Sequence, residues 1–192
     1  MIIFLIRHGE TTGDVENRYG GDYDDHLTKK GGAQAKELAK KMRDKGIERI
    51  FASPLIRARE TAEILGKALH APVETTDNIR ERNLYGIATG MTKEETKKKH
   101  PEIAEQLKDY KNTIKGGEPY EHFKQRMLKA FFELTKSKHK IIAIVTHGGT
   151  ISCIFRELLK TEIKKIADCA VFELQSEKGK LKLTKMGEAE LP

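Results

Sequence analysis

Two histidines of this sequence each end a short apolar run and stand before a glycine: His8, preceded by Arg7, and His147. A third apolar run leads into Ser53-Pro54 and then Arg57. Two arginines can hold the oxygens of a phosphate monoester in forked, charge-assisted hydrogen bonds and leave the phosphorus open to attack. A neutral imidazole can then attack it, while a second histidine stabilises the equatorial oxygens. These residue types predict a phosphohistidine intermediate on one of the two histidines, with Arg7, Arg57 and the other histidine binding the phosphoryl group.

The leaving oxygen of such a reaction needs a proton from an acid that can later deprotonate the hydrolytic water. Glu81 is the candidate, because it follows the second predicted helix where a loop can return to the strand ends. Two alternatives stay open: Arg80 and Arg82 offer Glu81 an ordinary ion pair, and Glu10 is a second carboxylate near His8. We predict no metal or other cofactor, since the arginines supply positive charge and the sequence has no HExxH motif, Cys/His cluster or Walker loop.

The elements that must position these residues alternate between strands and helices. Residues 2–6, 49–52 and 140–145 are short apolar runs rich in β-branched residues, typical of parallel strands covered on both faces. A late hairpin is predicted from 170–174 and 180–184, separated by Glu177-Lys178-Gly179. Ligands of open α/β sheets bind beyond the carboxyl ends of the strands, which is where the reactive residues stand.

Helical patterns fill the intervals between these strands. Thr28 is predicted to cap the first helix, and Ser53 to cap the second with Pro54 in its first turn. Thr92 opens a capping box for a polar third helix, and two more helices are predicted at 118–138 and 150–159. We therefore expect one domain over residues 1–192, with a small helical insertion at about 87–115. Its fold class is α/β, a three-layer αβα sandwich with a mostly parallel sheet and at least one antiparallel strand.

Composition limits the classes of partner. Apolar residues make up 38% and charged residues 34%, which indicates a globular chain, and the formal charge of +7 favours anionic partners. Nucleic-acid binding is not predicted, because the basic residues are not interleaved with exposed aromatics and form no recognised motif. The apolar opening is cut short by Arg7, so no membrane segment is predicted and we expect a cytoplasmic, soluble protein. Cys153 and Cys169 are predicted to be buried thiols, and the oligomeric state stays open.

Several motifs follow one another in an order that resembles the histidine phosphatase superfamily, also called phosphoglycerate-mutase-like. Arg7-His8-Gly9-Glu10-Thr11 is moderately specific alone, and the ordered set is far more so. Its further members are Glu16 to Gly21, Leu27-Thr28, Ser53-Pro54-Leu55 with Arg57, Gly116-Gly117-Glu118 and Thr146-His147-Gly148-Gly149. The resemblance implies that His8 is the nucleophile, that Arg7, Arg57 and His147 form the phosphate pocket, and that Glu81 is the proton donor. It also implies backbone contacts to substrate from Gly20, Gly21 and Gly148, and a side-chain contact from Asn17.

The sequence departs from the family pattern at three places. Gly13-Asp14 stands where many members have Trp-Asn, and Asp14 is predicted to face the leaving group. Pro119 stands where a serine often follows Gly-Gly-Glu, so a hydroxyl contact is lost. The stretch from Glu81 to Gly86 is one residue longer than in cofactor-dependent mutases. This last difference favours a phosphatase over a mutase.

The sequence thus predicts a metal-independent phosphomonoesterase, a histidine acid-type phosphatase, that acts on a small phosphorylated metabolite. The first alternative is phosphoglycerate mutase-type transfer, in which the phosphoryl group returns to substrate. The second is a noncatalytic phosphate- or nucleic-acid-binding module, although a module that only binds has no need of both His8 and Glu81. The natural substrate is not determined by the sequence.

Overall fold

The computed structural model describes residues 1–177 and 180–191. The strands are β1 (Ile2–Arg7), β2 (Arg49–Ala52), β3 (Val73–Thr75), β4 (Ile141–Thr146), β5 (Lys165–Ile166), β6 (Val171–Glu177), β7 (Lys180–Lys185) and β8 (Ala189–Glu190). The helices are α1 (Thr12–Val15), α2 (Lys29–Met42), α3 (Ile56–Leu69), α4 (Lys93–Lys99), α5 (Ile103–Gln106), α6 (Tyr120–Leu134) and α7 (Gly148–Ile154). A π-helical turn, Phe155–Leu159, continues α7, and short 3-10 turns occupy Arg43–Lys45, Asp77–Ile79 and Gly86–Ala88.

Six strands form one sheet in the order β3-β2-β4-β1-β6-β7. The strands from β3 to β1 in this order run parallel, whereas β6 is antiparallel to β1 and β7 is antiparallel to β6. The predicted mostly parallel sheet with an antiparallel strand is therefore confirmed. The predicted hairpin corresponds to β6 and β7, and Lys178 and Gly179 of its turn lie outside the described residues. A separate small sheet pairs β5 with β8.

The alternation of side chains along β1 divides the core between two faces of the sheet. Ile3 and Leu5 belong to a cluster with residues of α6 and α7, and Phe4 and Ile6 belong to a cluster with residues of α2 and α3. Helices cover both faces, so these four side chains are at most 3% exposed. This explains why β1 is apolar at successive positions and confirms the three-layer architecture.

Helix starts follow the predicted caps in two of three cases. The hydroxyl of Thr28 caps α2, and Thr92 forms a capping box at α4. The prediction that Ser53 caps the next helix is wrong, because α3 begins only at Ile56. The N–H of Ile56 instead donates to Asp24 Oδ1 at 2.6 Å, from a loop far away in the sequence. The hydroxyl of Ser53 is used in the site described below.

The two late helices differ from their predicted bounds for local reasons. α6 begins at Tyr120 and not at 118, because the residue before Pro119 is disfavoured in the helical conformation. α7 begins at Gly148, two residues before the predicted start, directly after the strand end. In the described part of the chain, no helix is long and apolar enough to cross a membrane.

The segment 87–115, predicted as a helical insertion, contains α4 and α5 and a small core of its own. Ala88, Ile103 and Ile114 are buried in it. Tyr19 and Tyr85 pack against this core, with their ring centroids 4.7 Å apart. The cluster therefore fastens the segment to the loop that follows α1.

The first turn of α2 touches the loop after β1 through a glycine. A Cβ on Gly31 would lie 2.0 Å from the carbonyl oxygen of Glu10, whereas a Cβ on Gly32 would meet no described atom within 4 Å. We expect Gly31→Ala to lower the free energy of unfolding by about 1–3 kcal/mol through overpacking. Gly32→Ala should raise it by about 0.5–1 kcal/mol, because glycine within a helix is less favourable than alanine. Urea unfolding of both variants tests this, and equal effects would contradict the close contact.

Candidate active site

The candidate active site lies beyond the carboxyl ends of three adjacent strands. His8 follows β1, Ser53 follows β2 and His147 follows β4, which lies between the other two. The N–H of His8 donates to the carbonyl of Thr146 at 3.1 Å, and the N–H of Ser53 donates to that of Val145 at 2.9 Å. This register brings the ring centroids of His8 and His147 to 5.1 Å.

The hydrogen bonds of His8 fix its tautomer. Nδ1 lies 2.8 Å from the carbonyl oxygen of Gly9, which can only accept, so Nδ1 carries the proton. Nε2 is then an acceptor and receives the Nε–H of Arg57 at 3.2 Å. Burial, followed by the charges of Arg57 and Arg7, holds the pKa of His8 well below its usual value. The ring is therefore neutral at pH 7, with its free lone pair on Nε2.

Arg57 reaches His8 from the first turn of α3 and is buried. Its Nη1 donates to the carbonyl of Tyr23 at 2.5 Å and to Asp25 Oδ1 at 2.9 Å. Its Nη2 donates to the carbonyl of Gly21 at 2.7 Å. Gly21, Tyr23 and Asp25 thus hold one side of the guanidinium group while Nε faces His8.

Arg7 stands at the end of β1 and is partly buried. Its Nη1 donates to the carbonyl of Ile166 and lies 3.2 Å from Asp168 Oδ1. A Cβ on Gly148 would lie 3.9 Å from its Nε, so this guanidinium group borders the start of α7. Each arginine of the site therefore has an aspartate partner of its own.

His147 is completely buried between these groups. Its Nε2 lies 2.6 Å from Ser53 Oγ, and its Nδ1 has no hydrogen-bond partner among the described residues. Burial first, and then the charge of Arg57, keeps the pKa of His147 well below its usual value. An unpaired buried polar atom costs about 1–3 kcal/mol. Nδ1 is therefore a group that an oxygen or N–H of a ligand would satisfy.

Glu81 returns to the strand ends on the loop after Asp77–Ile79. Its Oε2 accepts the N–H of Gly149 at 2.8 Å, and its Oε1 accepts the N–H of Arg82 at 2.9 Å. Burial raises the pKa of Glu81, although these two hydrogen bonds and the charges of the two site arginines oppose the shift. The carboxyl group keeps its proton to a higher pH than an ordinary glutamate, which suits a proton donor.

The structure disagrees with the two alternatives to Glu81 as the proton donor, which are an ion pair between Glu81 and its neighbouring arginines, and Glu10 as the acid. In the described part of the chain, no ion pair joins Glu81 to Arg80 or Arg82, and the guanidinium group of Arg82 donates to carbonyls of the segment 110–118. Glu10 faces α2, where its oxygens accept from the hydroxyl of Thr28 at 2.8 Å and from Lys30 Nζ at 2.6 Å. These bonds lower its pKa. Glu81 is thus the carboxyl group that borders the site.

Two arginines without a predicted site role anchor the loop of Glu81. Arg126 on α6 donates to the carbonyls of Asn78, Arg80 and Glu81, and pairs with both oxygens of Glu118 at 2.6 and 2.7 Å. Arg82 joins the same loop to residues 110–118. The Arg126 contact to Glu81 spans 45 positions of sequence, and no spacing pattern signals it.

The predicted substrate contacts from side chains lie on the loop after β1. Asp14 is exposed, and its Oδ2 accepts from the N–H of Thr11 at 3.0 Å and from its hydroxyl at 2.9 Å, which caps α1. Asn17 is exposed in the left-handed conformation with φ of 53°, and its carbonyl accepts the N–H of Lys93 at 2.9 Å. The substrate roles of both residues stay predictions.

The three predicted backbone contacts have different surroundings. A Cβ on Gly20 would meet no described atom within 4 Å. The carbonyl of Gly21 is occupied by Arg57, so this residue positions the arginine. Gly148 is the first residue of α7, beside Arg7. The structure thus adds an arginine-holding role for Gly21 that the sequence did not indicate.

Other histidines and the two cysteines differ in their exposure. His26, His70 and His122 are exposed, and Cys153 is buried as predicted. Cys169 is only partly buried, so the prediction that it is fully buried is wrong, although it packs against the core cluster that contains Phe4 and Ile6. Among residues 1–177 and 180–191, no group of His, Cys, Asp and Glu side chains is arranged to hold a metal ion.

The fold and the site place this chain among the phosphoglycerate-mutase-like α/β proteins. A family model described as the histidine phosphatase superfamily, branch 1, matches residues 3–189. The chain therefore belongs to the histidine phosphatase superfamily, as its motifs predict.

Comparison with individual proteins shows relatives of two kinds. The chain is 32% identical over 157 residues to the "Uncharacterized phosphatase PhoE" of Bacillus subtilis, covering 81% of this chain and 76% of PhoE. It is 31% identical over 164 residues to the "Probable phosphoglycerate mutase GpmB" of Escherichia fergusonii, covering 82% and 74%. The solved structure of YhfR from Bacillus stearothermophilus, 25% identical, superposes with a TM-score of 0.87 over 100% of this chain and 98% of YhfR.

Proposed function

We propose that this protein is a metal-independent phosphomonoesterase that hydrolyses a small phosphorylated metabolite through a phosphohistidine intermediate on His8. The observation that carries the proposal is the tautomer of His8. Its Nδ1–H is fixed on the carbonyl of Gly9, so the Nε2 lone pair is directed at the guanidinium group of Arg57. A phosphoryl group bound by that guanidinium group lies in front of the nucleophile.

In the first step, the Nε2 lone pair of His8 forms a bond to phosphorus as the bond from phosphorus to the ester oxygen breaks. The leaving oxygen takes the proton of Glu81. Arg7, Arg57 and the free Nδ1 of His147, when protonated, offset the charge on the phosphoryl oxygens in the transition state. The products of this step are an alcohol and phospho-His8, with Glu81 ionised.

In the second step, the Glu81 carboxylate accepts a proton from water as the water oxygen attacks phosphorus. The bond between nitrogen and phosphorus breaks, its electron pair returns to His8 Nε2, and inorganic phosphate leaves. Glu81 is again protonated. One carboxyl group therefore serves both steps, in agreement with its raised pKa.

The same pKa shifts support the acid-type assignment. The reaction needs a neutral His8, whose pKa is lowered, and a protonated Glu81, whose pKa is raised. His8 therefore stays neutral to lower pH, and Glu81 stays protonated to higher pH, than ordinary side chains of these types, so activity should persist on the acid side of neutrality. His8 and His147 are at most 5% exposed, and a phosphoryl group on a small molecule reaches buried rings more easily than one on a large partner, which favours a small substrate.

The two alternatives make different use of the same site. A mutase would keep the phosphoryl group on His8 until a hydroxyl of the substrate accepts it. The stretch from Glu81 to Gly86, one residue longer than in cofactor-dependent mutases, supports hydrolysis instead. A binding module would not need an unprotonated nucleophile together with a carboxyl group of raised pKa.

Phosphate release from an aryl phosphate, 3-phosphoglycerate and a panel of phosphorylated metabolites tests the proposal. We expect release that is unchanged by EDTA, with little isomerisation of 3-phosphoglycerate. Robust isomerisation with little free phosphate would establish the mutase, and activity abolished by EDTA and restored by a metal would refute metal independence. Phosphate binding without turnover of any ester would establish the binding module.

A further inference from the structure

Asp25, whose carboxylate pairs with Arg57, takes no part in the two reaction steps described above. We propose that Asp25 is a positioning residue, which fixes the guanidinium group of Arg57 so that one edge of it faces His8 Nε2. This inference rests on the proposed function, because it concerns how the phosphoryl group is oriented before attack. It adds to that function a residue that neither transfers a proton nor bonds to phosphorus.

Both oxygens of Asp25 are engaged in a buried setting. The side chains of Asp25 and Arg57 are each 5% exposed, and Oδ1 lies 2.9 Å from Nη1. Oδ2 accepts the N–H of Gly13 at 3.0 Å. A buried ion pair whose remaining lone pairs are also hydrogen-bonded holds one geometry. Asp25 is therefore a rigid anchor between the start of α1 and Arg57.

The absence of a side chain at Gly13 makes room for the carboxylate of Asp25. A Cβ on Gly13 would lie 2.6 Å from Asp25 Oδ2, so a larger residue would displace the carboxylate. Position 13 is where many family members carry tryptophan. The contact gives this departure a physical reason, since the absent side chain leaves room for the carboxylate of Asp25.

The partners of the N–H donors of Arg57 show which edge of its guanidinium group is available to bind a phosphoryl group. A guanidinium group has five N–H donors. Nη1 uses two on Tyr23 and Asp25, and Nη2 uses one on Gly21. The Nε–H points to His8, and one Nη2 donor has no partner among the described residues. Nε–H and Nη2–H can bind two phosphoryl oxygens as a fork, and the Nε–H is released as His8 attacks.

Removing the charge of Asp25 should lower the rate of phosphoryl transfer without weakening the binding of inorganic phosphate. The pocket becomes more positive by one charge, so inorganic phosphate should bind at least as tightly. The guanidinium group loses its charged anchor, so the fork is less well aligned with the attacking lone pair. Misalignment of about 1 Å costs on the order of 100-fold in rate. A loss of overall structure would instead weaken binding and turnover together.

The test compares Asp25→Asn with Asp24→Asn, which removes the same charge from the same loop. Asp24 accepts from Ile56 N–H, and asparagine keeps an acceptor for that bond. With an aryl phosphate we expect kcat of Asp25→Asn to fall by about 10- to 100-fold, and the inhibition constant of inorganic phosphate to stay equal or decrease. The Asp24→Asn values should stay within about twofold of wild type. Equal kcat in the two variants, or parallel loss of kcat and phosphate affinity in Asp25→Asn, overturns the proposal.

A second measurement does not depend on turnover. In ¹⁵N-labelled wild type, the Nε–H of Arg57 should exchange with water at least about tenfold more slowly than that of the exposed Arg59 on the same helix. Asp25→Asn, or Gly13→Ala if the first variant does not fold, should remove much of this protection. Protection unchanged in the folded variant overturns the positioning role. Absence of ester hydrolysis by a wild type that shows this protection would refute the proposed function alone.

Discussion

Replacing His8 by alanine should reduce kcat for phosphate release by about 10⁴-fold or more, because the nucleophile is lost. The other ring of the site, His147, has its Nε2 on Ser53 and follows a different strand. Stopped reactions of wild type should contain a phosphohistidine that is labile in acid and stable in base. His8→Ala should contain none.

A matched control is His122→Ala, which removes an exposed histidine from α6. Its kcat should equal that of wild type. If His8→Ala hydrolyses an aryl phosphate as well as wild type does, the assignment of the nucleophile is wrong. In the described part of the chain the ring nitrogens of His8 bind only Gly9 and Arg57, so the variant should stay folded, which circular dichroism can verify.

Glu81→Gln should lower kcat by about 10²- to 10⁴-fold for alkyl phosphates, the range typical of a lost general acid. Glutamine keeps an acceptor for one of the two backbone N–H groups but cannot donate the proton. The loss should be smaller for aryl phosphates with acidic leaving groups, since these leave without protonation. The dependence of kcat on the pKa of the leaving group should therefore be steeper in the variant than in wild type.

The dependence of kcat on pH is a second test of Glu81 as the general acid. The pKa of Glu81 is raised, so wild-type activity should be constant below that pKa and decline as the pH rises through it. The pKa of His8 is lowered, so the acid limb should appear only below the usual range of histidine, where the nucleophile becomes protonated. Glu81→Gln should lose the alkaline limb and keep the acid limb.

Glu10→Gln is the control for this prediction, because Glu10 is the other carboxylate near His8. Its oxygens bind Thr28 and Lys30, so its removal should change kcat by less than about threefold. If instead Glu10→Gln abolishes the alkaline limb and Glu81→Gln preserves it, the acid has been assigned to the wrong residue.

Sequence reasoning succeeded for Glu81 only in part. The position of Glu81 after a predicted helix indicated that a loop could return to the strand ends, but an ion pair with the neighbouring arginines, or Glu10 as the acid, stayed open as alternatives. The choice depended on where Lys30 and Arg82 direct their charges. Ser53 shows the same limit, because Ser-Pro predicts a helix cap while the folded chain directs the hydroxyl to His147.

The sequence by itself determined the strand ends and the reactive residues on them. Continuous apolar runs require strands covered on both faces, and parallel pairing brings their carboxyl ends to one edge, so the meeting of His8 and His147 follows from pattern and topology. Only the tertiary structure decided what holds each reactive group. Asp25 and Arg57 are 32 residues apart, and Arg7 and Ile166 are 159 apart. Contacts between separate loops leave no periodic signal in sequence, because they depend on where the packed helices and strands place those loops.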